Sequence, residues 1–413
     1  MLSQNLSITK GAIYAYRLYD IAHEINLLGA KSLLDRKDSS NMVSRYKLRK
    51  DPLKSINFKE PPLILSERPD RLSFEVNGKK VELDYHLEIK IWNYGVLSLS
   101  YRIELNPDTS WRDLIEIGSV LDNNSIIDTM ACDKRDEISK IIALSLKKPF
   151  THPLFEDYTT YLIEEINVLE KDKENNLKKK KIKNPLDILK TTGIAELLLA
   201  EPNKTLSEST HKTIQSNYSQ YTKHDLLIMD WNSALVMDLG EEKEYQDYVD
   251  ILEFSLAQLL ELRIYDELLD EKLDELYDSL EDKQYNKITD LYSKISEESN
   301  HLHMEFSDFF EKLDNSIKTV GDFYLAKILK SADKRFGFDE LKKTMSRKIQ
   351  TLSNISKMCQ DKVDSMVDTQ RNATSHRLEL VVILLISVEV IPVIYQKAPI
   401  VWSFISKFLT GLF

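Results

Sequence analysis

The stretch RLELVVILLISVEVIPVIY, residues 377–395, decides how the C-terminal end of this chain is interpreted. Thirteen of the residues between Leu378 and Tyr395 are Leu, Ile or Val. A helix of that length rises about 27 Å, close to the ~30 Å hydrocarbon core of a bilayer. The aliphatic residues favour insertion by roughly 4–8 kcal/mol, and one acid near the middle costs about 3 kcal/mol. The sum predicts a transmembrane helix rather than a buried core helix.

The polar residues of this stretch have separate expected roles. Arg377 and Glu379 lie at its edge, where we expect them to reach the headgroups, and no glycine or proline lies between Gly337 and Pro392. Glu389 lies inside, and an intramembrane acid indicates function by default. One reading makes Glu389 a protonated group that hydrogen-bonds to a neighbouring helix during assembly. The other makes it part of an ion pathway.

The residues that follow, IVWSFISKFLTGLF at 400–413, form an amphipathic pattern. Apolar residues including Trp402 share one face of the helical wheel, and polar residues including Lys407 share the other. Such a segment is suited to a membrane interface. We therefore expect residues 377–413 to be a membrane anchor plus amphipathic tail, as a single C-terminal span or a re-entrant hairpin.

The composition limits the class of the remaining chain. It has 413 residues, of which 42% are apolar and 30% charged, with only ten glycines and eleven prolines, so long helices are expected. The net charge of −11 argues against a general nucleic-acid binder, although local basic patches remain possible. Cys132 and Cys359 form no disulfide framework. With no N-terminal signal, we expect the domains that precede the anchor to stay on the side of the membrane where they are synthesised.

Two segments with different sequence patterns precede the anchor. Residues 1–240 predict an α+β domain with an antiparallel sheet. It includes a hairpin turning at Asn77-Gly78 and another turning at Asn232-Ser233. Residues 241–376 lack proline and predict a long-helix bundle or coiled coil. Its last helix carries apolar residues spaced by threes and fours. These are Leu341, Met345, Ile349, Leu352, Ile355, Cys359, Val363 and Met366.

The C-terminal third resembles a known family. SDFFEKLDNSIKTVGDFYLAKIL, then a heptad-like helix, then HRLELVVILLISVEVI is similar to the YagE-type proteins, which are related to the required-for-meiotic-nuclear-division proteins. Their R-L-E, aliphatic run and closing Glu correspond to Arg377–Glu379 and Glu389, and their Tyr-Gly-Val strand to Tyr94–Val96. Leu380 departs from an aromatic common in the family. The resemblance implies a membrane-tethered protein without established catalytic activity, whose mitochondrial relatives are associated with translation at the inner membrane. Because no mitochondrial transit peptide is present, we expect a bacterial-type relative with cytoplasmic soluble domains at the inner membrane.

No catalytic signature for nucleotide binding, metalloprotease or hydrolase chemistry occurs. We therefore predict no catalytic residue, cofactor or metal. The nearest metal pattern is Glu298 with His301, in a ladder with Glu297 and Glu305. Di-iron bundles use two such E-x-x-H motifs, so a solvated helix surface is the favoured reading.

Charged runs supply the other candidate sites. Lys178, Lys179, Lys180, Lys181 and Lys183 form a patch for RNA or anionic lipid, although a solvated loop is favoured.

An acidic helix face, Asp266, Asp270, Asp274 and Asp278, is either solvated or paired with a basic stretch, within the chain or across a dimer. That stretch contains Lys327, Lys330, Lys334, Arg335, Lys342 and Lys343. Asp230 and Trp231, at a hairpin, could shape a cleft.

The combined prediction is a membrane-tethered scaffold or interaction protein. Its helix bundle self-associates, its partners are membrane lipid and an unidentified protein, and nucleic acid is at most an indirect partner. The alternatives are an oligomeric membrane assembly that uses Glu389 and a metal-carboxylate enzyme.

Overall fold

The computed structural model describes residues 6–37, 42–45, 56–58, 60–123, 125–171, 177–189, 193–281, 288–314, 317–320 and 323–410. These residues form a mixed α+β structure, which confirms the coarse fold class. The chain divides into two compact units. The first contains Met1–Asp270 and Asp308–Ser346, and the second contains Glu271–Ser307 and Arg347–Phe413.

The strands are β1 (Leu6–Asp20), β2 (Ala22–Ile25), β3 (Met42–Arg45), β4 (Ile56–Phe58), β5 (Leu63–Ser66), β6 (Asp70–Val76), β7 (Lys79–Ile91), β8 (Val96–Glu104), β9 (Thr109–Ser110), β10 (Leu146–Pro149), β11 (Glu156–Lys171), β12 (Leu177–Lys181), β13 (Tyr218–Ser219), β14 (Asp225–Met229), β15 (Ser233–Asp238) and β16 (Ile317–Val320). The helices are α1 (Leu27–Lys37), α2 (Trp111–Asn123), α3 (Ser125–Ile141), α4 (Leu186–Leu189), α5 (Ile194–Leu198), α6 (Glu208–Ser216), α7 (Tyr245–Glu281), α8 (Ile288–Asp314), α9 (Phe323–Phe336) and α10 (Phe338–Thr410).

One large sheet organises the first unit. Its strand order is β13-β14-β15-β11-β1-β8-β7-β5-β3, with β12, β6 and β9 paired beside β11, β7 and β1. The described pairings are antiparallel except that of β11 with β15. The predicted hairpins are both present. β6 and β7 turn at Asn77-Gly78, where both residues have positive φ, whereas β14 and β15 turn at Trp231-Asn232, one residue before the predicted turn.

The central strand β1 is buried on both faces. Side chains alternate along a strand, so beyond the irregularity at residues 8–11 the odd-numbered residues of β1 face one side and the even-numbered residues the other. Arg17 reaches Asp128 of α3 at 2.5 Å, and Tyr19 lies 3.6 Å from Cys132 of the same helix. Tyr16, on the opposite face, lies in the field of Glu253 of α7. Helices therefore cover both sides of β1, which explains its nearly continuous apolar sequence.

The turn between β7 and β8 fixes one corner of the sheet. Gly95 has φ +108°, and the Ile21 amide donates to its carbonyl at 3.1 Å. A Cβ on Gly95 would lie 1.8 Å from the Ala22 carbonyl oxygen. The ring of Trp92 stacks on Tyr94 at 5.7 Å and contacts Phe254 of α7 at 5.6 Å. The turn thus joins the ends of β1 and β7 to α7.

Helix α7 begins at Tyr245, and Asp238, the last residue of β15, caps its first turn. The Asp238 carboxylate accepts hydrogen bonds from the amides of Glu244 and Tyr245, at 2.7 and 3.2 Å. It thereby satisfies backbone donors that the first turn of a helix leaves unpaired. The Lys243 ammonium donates to the carbonyls of Asp238 and Glu164. These contacts explain why the long helix starts shortly after Gly240.

The second unit contains the end of α7 with α8 and α10. Ser296 of α8 and Ser356 of α10 lie 3.1 Å apart between their buried hydroxyl oxygens, and each hydroxyl also donates to the other's carbonyl. The predicted apolar stripe of α10 is confirmed at Leu352, Ile355 and Cys359, which are buried. Small side chains at this contact let the two helices approach closely.

The predicted transmembrane helix is contradicted. Within the described part of the chain, no helix is both long enough and apolar enough to cross a membrane. A span needs about 20 predominantly apolar residues. The aliphatic run has described side chains only up to Val388, and the stretch 371–388 contains Arg371, Arg377 and Glu379. The predictions of a membrane anchor, a tail anchor and a C-terminal span at an inner membrane are corrected accordingly.

We expect Gly95→Ala to destabilise the first unit by about 2–5 kcal/mol, because it combines backbone strain with a clash against Ala22. Gly78→Ala is the matched control. Gly78 also has positive φ, but no atom lies within 4 Å of its added Cβ, so only about 1–2 kcal/mol should be lost. Urea unfolding measures both variants. Equal losses would show that the turn does not depend on the close approach to Ala22.

Candidate functional site

A charged cluster lies buried between α7 and the sheet. The Lys90 ammonium is 2.8 Å from Asp250 Oδ1 and 2.6 Å from Glu253 Oε2. The Ser98 hydroxyl donates to Glu253 Oε1 at 2.5 Å. Burial alone would lower the pKa of Lys90, but the neighbouring carboxylates hold it well above its ordinary value. Lys90 is therefore a buried cation with its partners in place.

The alternation of side chains along a strand and the spacing of residues along a helix bring this cluster together. Lys90 occupies the face of β7 that also carries Glu88, and Ser98 lies on the facing side of β8, its cross-strand partner. Asp250 and Glu253 are three residues apart, so they share one side of α7. A single lysine can bridge both carboxylates for that reason.

A second pair of buried acids follows along the same interface. Asp20, at the end of β1, is 4% exposed, and Glu261 of α7 is 1% exposed. Among the described residues, Asp20 Oδ1 and both carboxylate oxygens of Glu261 have no hydrogen-bond partner. Burial raises the pKa of Asp20 to about 8, although the Ala22 amide opposes this. Burial and the charge of Asp20 raise the pKa of Glu261 well above its usual range.

This interface can hold protons and couple them to folding. Strongly shifted carboxyls in one cluster are typical of functional sites, although structural networks also produce them. Both acids are enclosed, so a solute would reach them only if α7 moved. The direct chemical consequence is that the free energy of unfolding depends on pH.

We expect Lys90→Met to cost about 3–5 kcal/mol of unfolding free energy, because it leaves Asp250 and Glu253 buried without their cation. Lys147→Met is the control, since Lys147 is exposed and pairs with Glu24 at 2.9 Å. That loss should stay below about 1 kcal/mol. Thermal and urea unfolding compare the two. A loss at Lys90 no larger than that at Lys147 would contradict the assigned role of the cluster.

We expect Glu261→Gln to stabilise the protein at pH 8 and to have little effect near pH 4. The folded state holds protons on Asp20 and Glu261 that the unfolded chain releases above its ordinary carboxyl pKa. Wild-type stability therefore falls as pH rises from about 4 through 8. Glutamine resembles the protonated acid and removes one titrating group. Melting temperatures across this range test the expectation, with exposed Glu75→Gln as control; identical pH profiles would refute it.

A second cluster lies at the β14–β15 turn. Trp231 is 59% exposed, and the Arg263 guanidinium lies 5.2 Å from its ring centroid. Arg263 also donates to Glu156 at 2.5 Å, and Arg335 of α9 donates to Asp230 at 2.5 Å. Burial raises the pKa of Glu156 to about 7, against the opposing effect of Arg263. The sequence singled out Asp230 and Trp231 but did not connect them with their arginine partners, of which it singled out only Arg335, as part of a basic stretch.

The predicted lysine patch lies on a strand rather than in a solvated loop. Lys178–Lys181 belong to β12, which pairs with β11, and Lys183 follows it. Lys179 is 2.6 Å from Asp108, and its hydrogen bond lowers the pKa of that carboxyl. Lys180 and Lys181 lie 3.2 Å from Glu170 and Glu165. Acidic neighbours therefore offset much of the charge that the sequence displays.

The predicted metal pattern is not assembled into a site. Glu297, Glu298 and His301 are exposed on α8, and the side chain of Glu305 lies outside the described residues. The described part of the chain contains no group of three or more His, Cys, Asp or Glu side chains that could hold a metal ion.

The predicted C-terminal site residues are described only in part. His376 Nδ1 lies 3.3 Å from a carboxylate oxygen of Glu379, and both residues are exposed on α10, as is Arg377. The side chains of Glu389, Pro392, Trp402 and Lys407 lie outside the described residues. The predictions made for those four residues stay predictions.

Comparison with known sequences shows the family to which the chain belongs. The family described as "Uncharacterized protein MJ0711, N-terminal domain" matches residues 10–244, more than half of the chain. The chain belongs to this family. It is also 23% identical over 275 residues to the uncharacterized protein MJ0711 of Methanocaldococcus jannaschii, covering 66% of this chain and 72% of the relative. The matched region contains the sheet, Asp20 and Lys90.

The resemblance to YagE-type proteins rests mainly on residues beyond that match, and it stays a prediction. The buried acids and Lys90 were missed by sequence reasoning, although a signal exists. Each lies in a largely apolar run: YRLYD at Asp20, LEIKI at Lys90 and LLELRIY at Glu261, which also contain Arg17, Glu88 and Arg263 respectively. A charge within a buried element is costly unless it is paired or neutralised.

Proposed function

We propose that the protein is a scaffold that self-associates through the aliphatic segment, which is residues 378–388 of α10. The observation that carries this proposal is the exposure of nine large aliphatic side chains in one continuous helical stretch. Each is 51–66% exposed: Leu378, Leu380, Val381, Val382, Ile383, Leu384, Leu385, Ile386 and Val388.

The area involved is large for an exposed surface. With roughly 100 Å² of apolar surface on each side chain, the nine leave about 500 Å² in contact with water. The largest apolar patch of a typical monomer is about 300–600 Å² and is often functional. A standard protein interface buries about 800 Å² per partner. The aliphatic segment therefore offers most of one partner's share of an interface.

A second copy of the chain is the occupant that fits this surface best. The apolar residues surround the helix, with Glu379 and Ser387 as the polar exceptions within 378–388. A helix that is apolar on all sides needs neighbours on several sides. A closed symmetric bundle of identical helices supplies them with one repeated segment, and such symmetry is the rule among soluble oligomers. We therefore propose an assembly of more than two copies.

Neither alternative function has comparable support. A metal-carboxylate enzyme would need a cluster of ligands that the described residues do not contain. A role for Glu389 in assembly concerns a side chain outside the described residues, so it adds nothing to the case for self-association.

We expect Val382→Glu with Leu385→Glu to convert the assembly to monomers, because each carboxylate would have to be buried in an apolar contact. Thr369→Glu with Thr374→Glu is the matched control, placed on exposed positions of the same helix upstream of the aliphatic segment. Sedimentation velocity of the full chain measures the mass. The control should remain assembled.

A crosslinking arm distinguishes a second copy from another partner. Ile383→Cys should give a disulfide-linked dimer of the chain under mild oxidation, whereas Lys212→Cys, exposed on α6, should not. A wild-type chain that is monomeric at tens of micromolar would overturn the proposal. Equal crosslinking at both positions would overturn it as well.

A further inference from the structure

The outer face of α9 carries exposed lysines that, unlike those of β12, have no acidic partner among the described residues. Lys327, Lys330 and Lys334 are exposed and fall within one side of the helix, at spacings of three and four residues. Among the described residues, none of the three has an ion-pair partner. They form a positive stripe about 10 Å long, on a helix that also carries Asp333 and in a chain whose net charge is −11.

Exposed aromatic rings lie beside α9 near both ends of the helix. Tyr221 is 60% exposed, and its ring lies 4.8 Å from that of Tyr324 near the start of α9. Trp231 is 59% exposed and adjoins Asp230, which is held by Arg335 near the end of α9. Tyr221 precedes β14 and Trp231 follows it, so α9 runs alongside that strand. The two rings therefore lie beside the same helix as the lysines, one near its start and one near its end.

We propose that this surface, the outer face of α9 with Tyr221 and Trp231 beside it, binds single-stranded nucleic acid. A row of lysines follows a phosphate backbone, and exposed rings provide faces on which unpaired bases stack. An acidic peptide would also satisfy the lysines, but it would gain little from the two rings. In duplex nucleic acid the bases are already stacked and paired, so they could not stack on the two rings. The combination favours an unpaired strand, read by charge and stacking rather than by sequence.

The proposal is independent of self-association. The lysines and both rings belong to the first unit, whereas the aliphatic segment belongs to the second. Binding should therefore be retained by the variant Val382→Glu with Leu385→Glu.

The test is fluorescence anisotropy of labelled oligouridylate with the full chain. Three phosphate contacts predict that affinity falls about 20-fold between ~50 and ~200 mM KCl. The variant Lys327→Gln/Lys330→Gln/Lys334→Gln should lose most of the binding and most of the salt dependence. The variant Lys179→Gln/Lys180→Gln/Lys181→Gln removes the same charge from β12 and should bind like wild type. Circular dichroism confirms that both variants fold.

Trp231→Ala separates stacking from charge. It should weaken binding about tenfold while leaving the salt dependence unchanged, because the lysines remain. Three outcomes overturn the proposal: no binding at low salt, equal losses in the α9 and β12 variants, or competition by polyglutamate as effective as that by unlabelled oligouridylate. The last outcome would assign the surface to an acidic protein segment instead.

Discussion

The contact between Lys90 and the two carboxylates of α7 is the constraint on which the first unit depends. The long helix is rich in Leu, Ile and Phe on several sides, so an apolar contact alone would fit more than one register along the sheet. Lys90 reaches both Asp250 and Glu253 in one register only. A buried ion pair adds little net stability compared with apolar residues, but separating its members is costly. The cluster therefore fixes where the helix lies more than how strongly it is held.

That placement also buries a second pair of acidic groups, Asp20 and Glu261, at the same interface. With α7 in this register, the charge of Asp20 acts on Glu261, and among the described residues neither carboxylate forms an ion pair. The pair is tolerable only while it carries protons, because an unpaired buried charge is expensive. The same helix thus contains one fully compensated charge cluster and one that pH controls. Both are enclosed between the helix and the sheet, within one compact unit.

Local signals in the sequence predicted local structure, and long-range arrangement escaped it. Asn77-Gly78 predicted a hairpin because both residues tolerate positive φ. The spacing of apolar residues along α10 predicted which side of that helix is buried. The parallel pairing of β11 with β15 and the cover of β1 on both faces depend on residues far apart in the chain. The charged site escaped for the same reason. Lys90 and Glu253 are separated by 163 positions, so no spacing rule connects them.

Lysine content and lysine availability are separate quantities, and the two basic regions show why. KKKK in β12 is the densest basic run of the chain, yet strand pairing brings acidic residues of β11 and the β8–β9 connection beside it. The lysines of α9 are more dilute in sequence, but a helix turns them to one side. A strand alternates its lysines between two faces, whereas a helix gathers every third or fourth residue onto one. The surface with the lower lysine density therefore has the greater free positive charge.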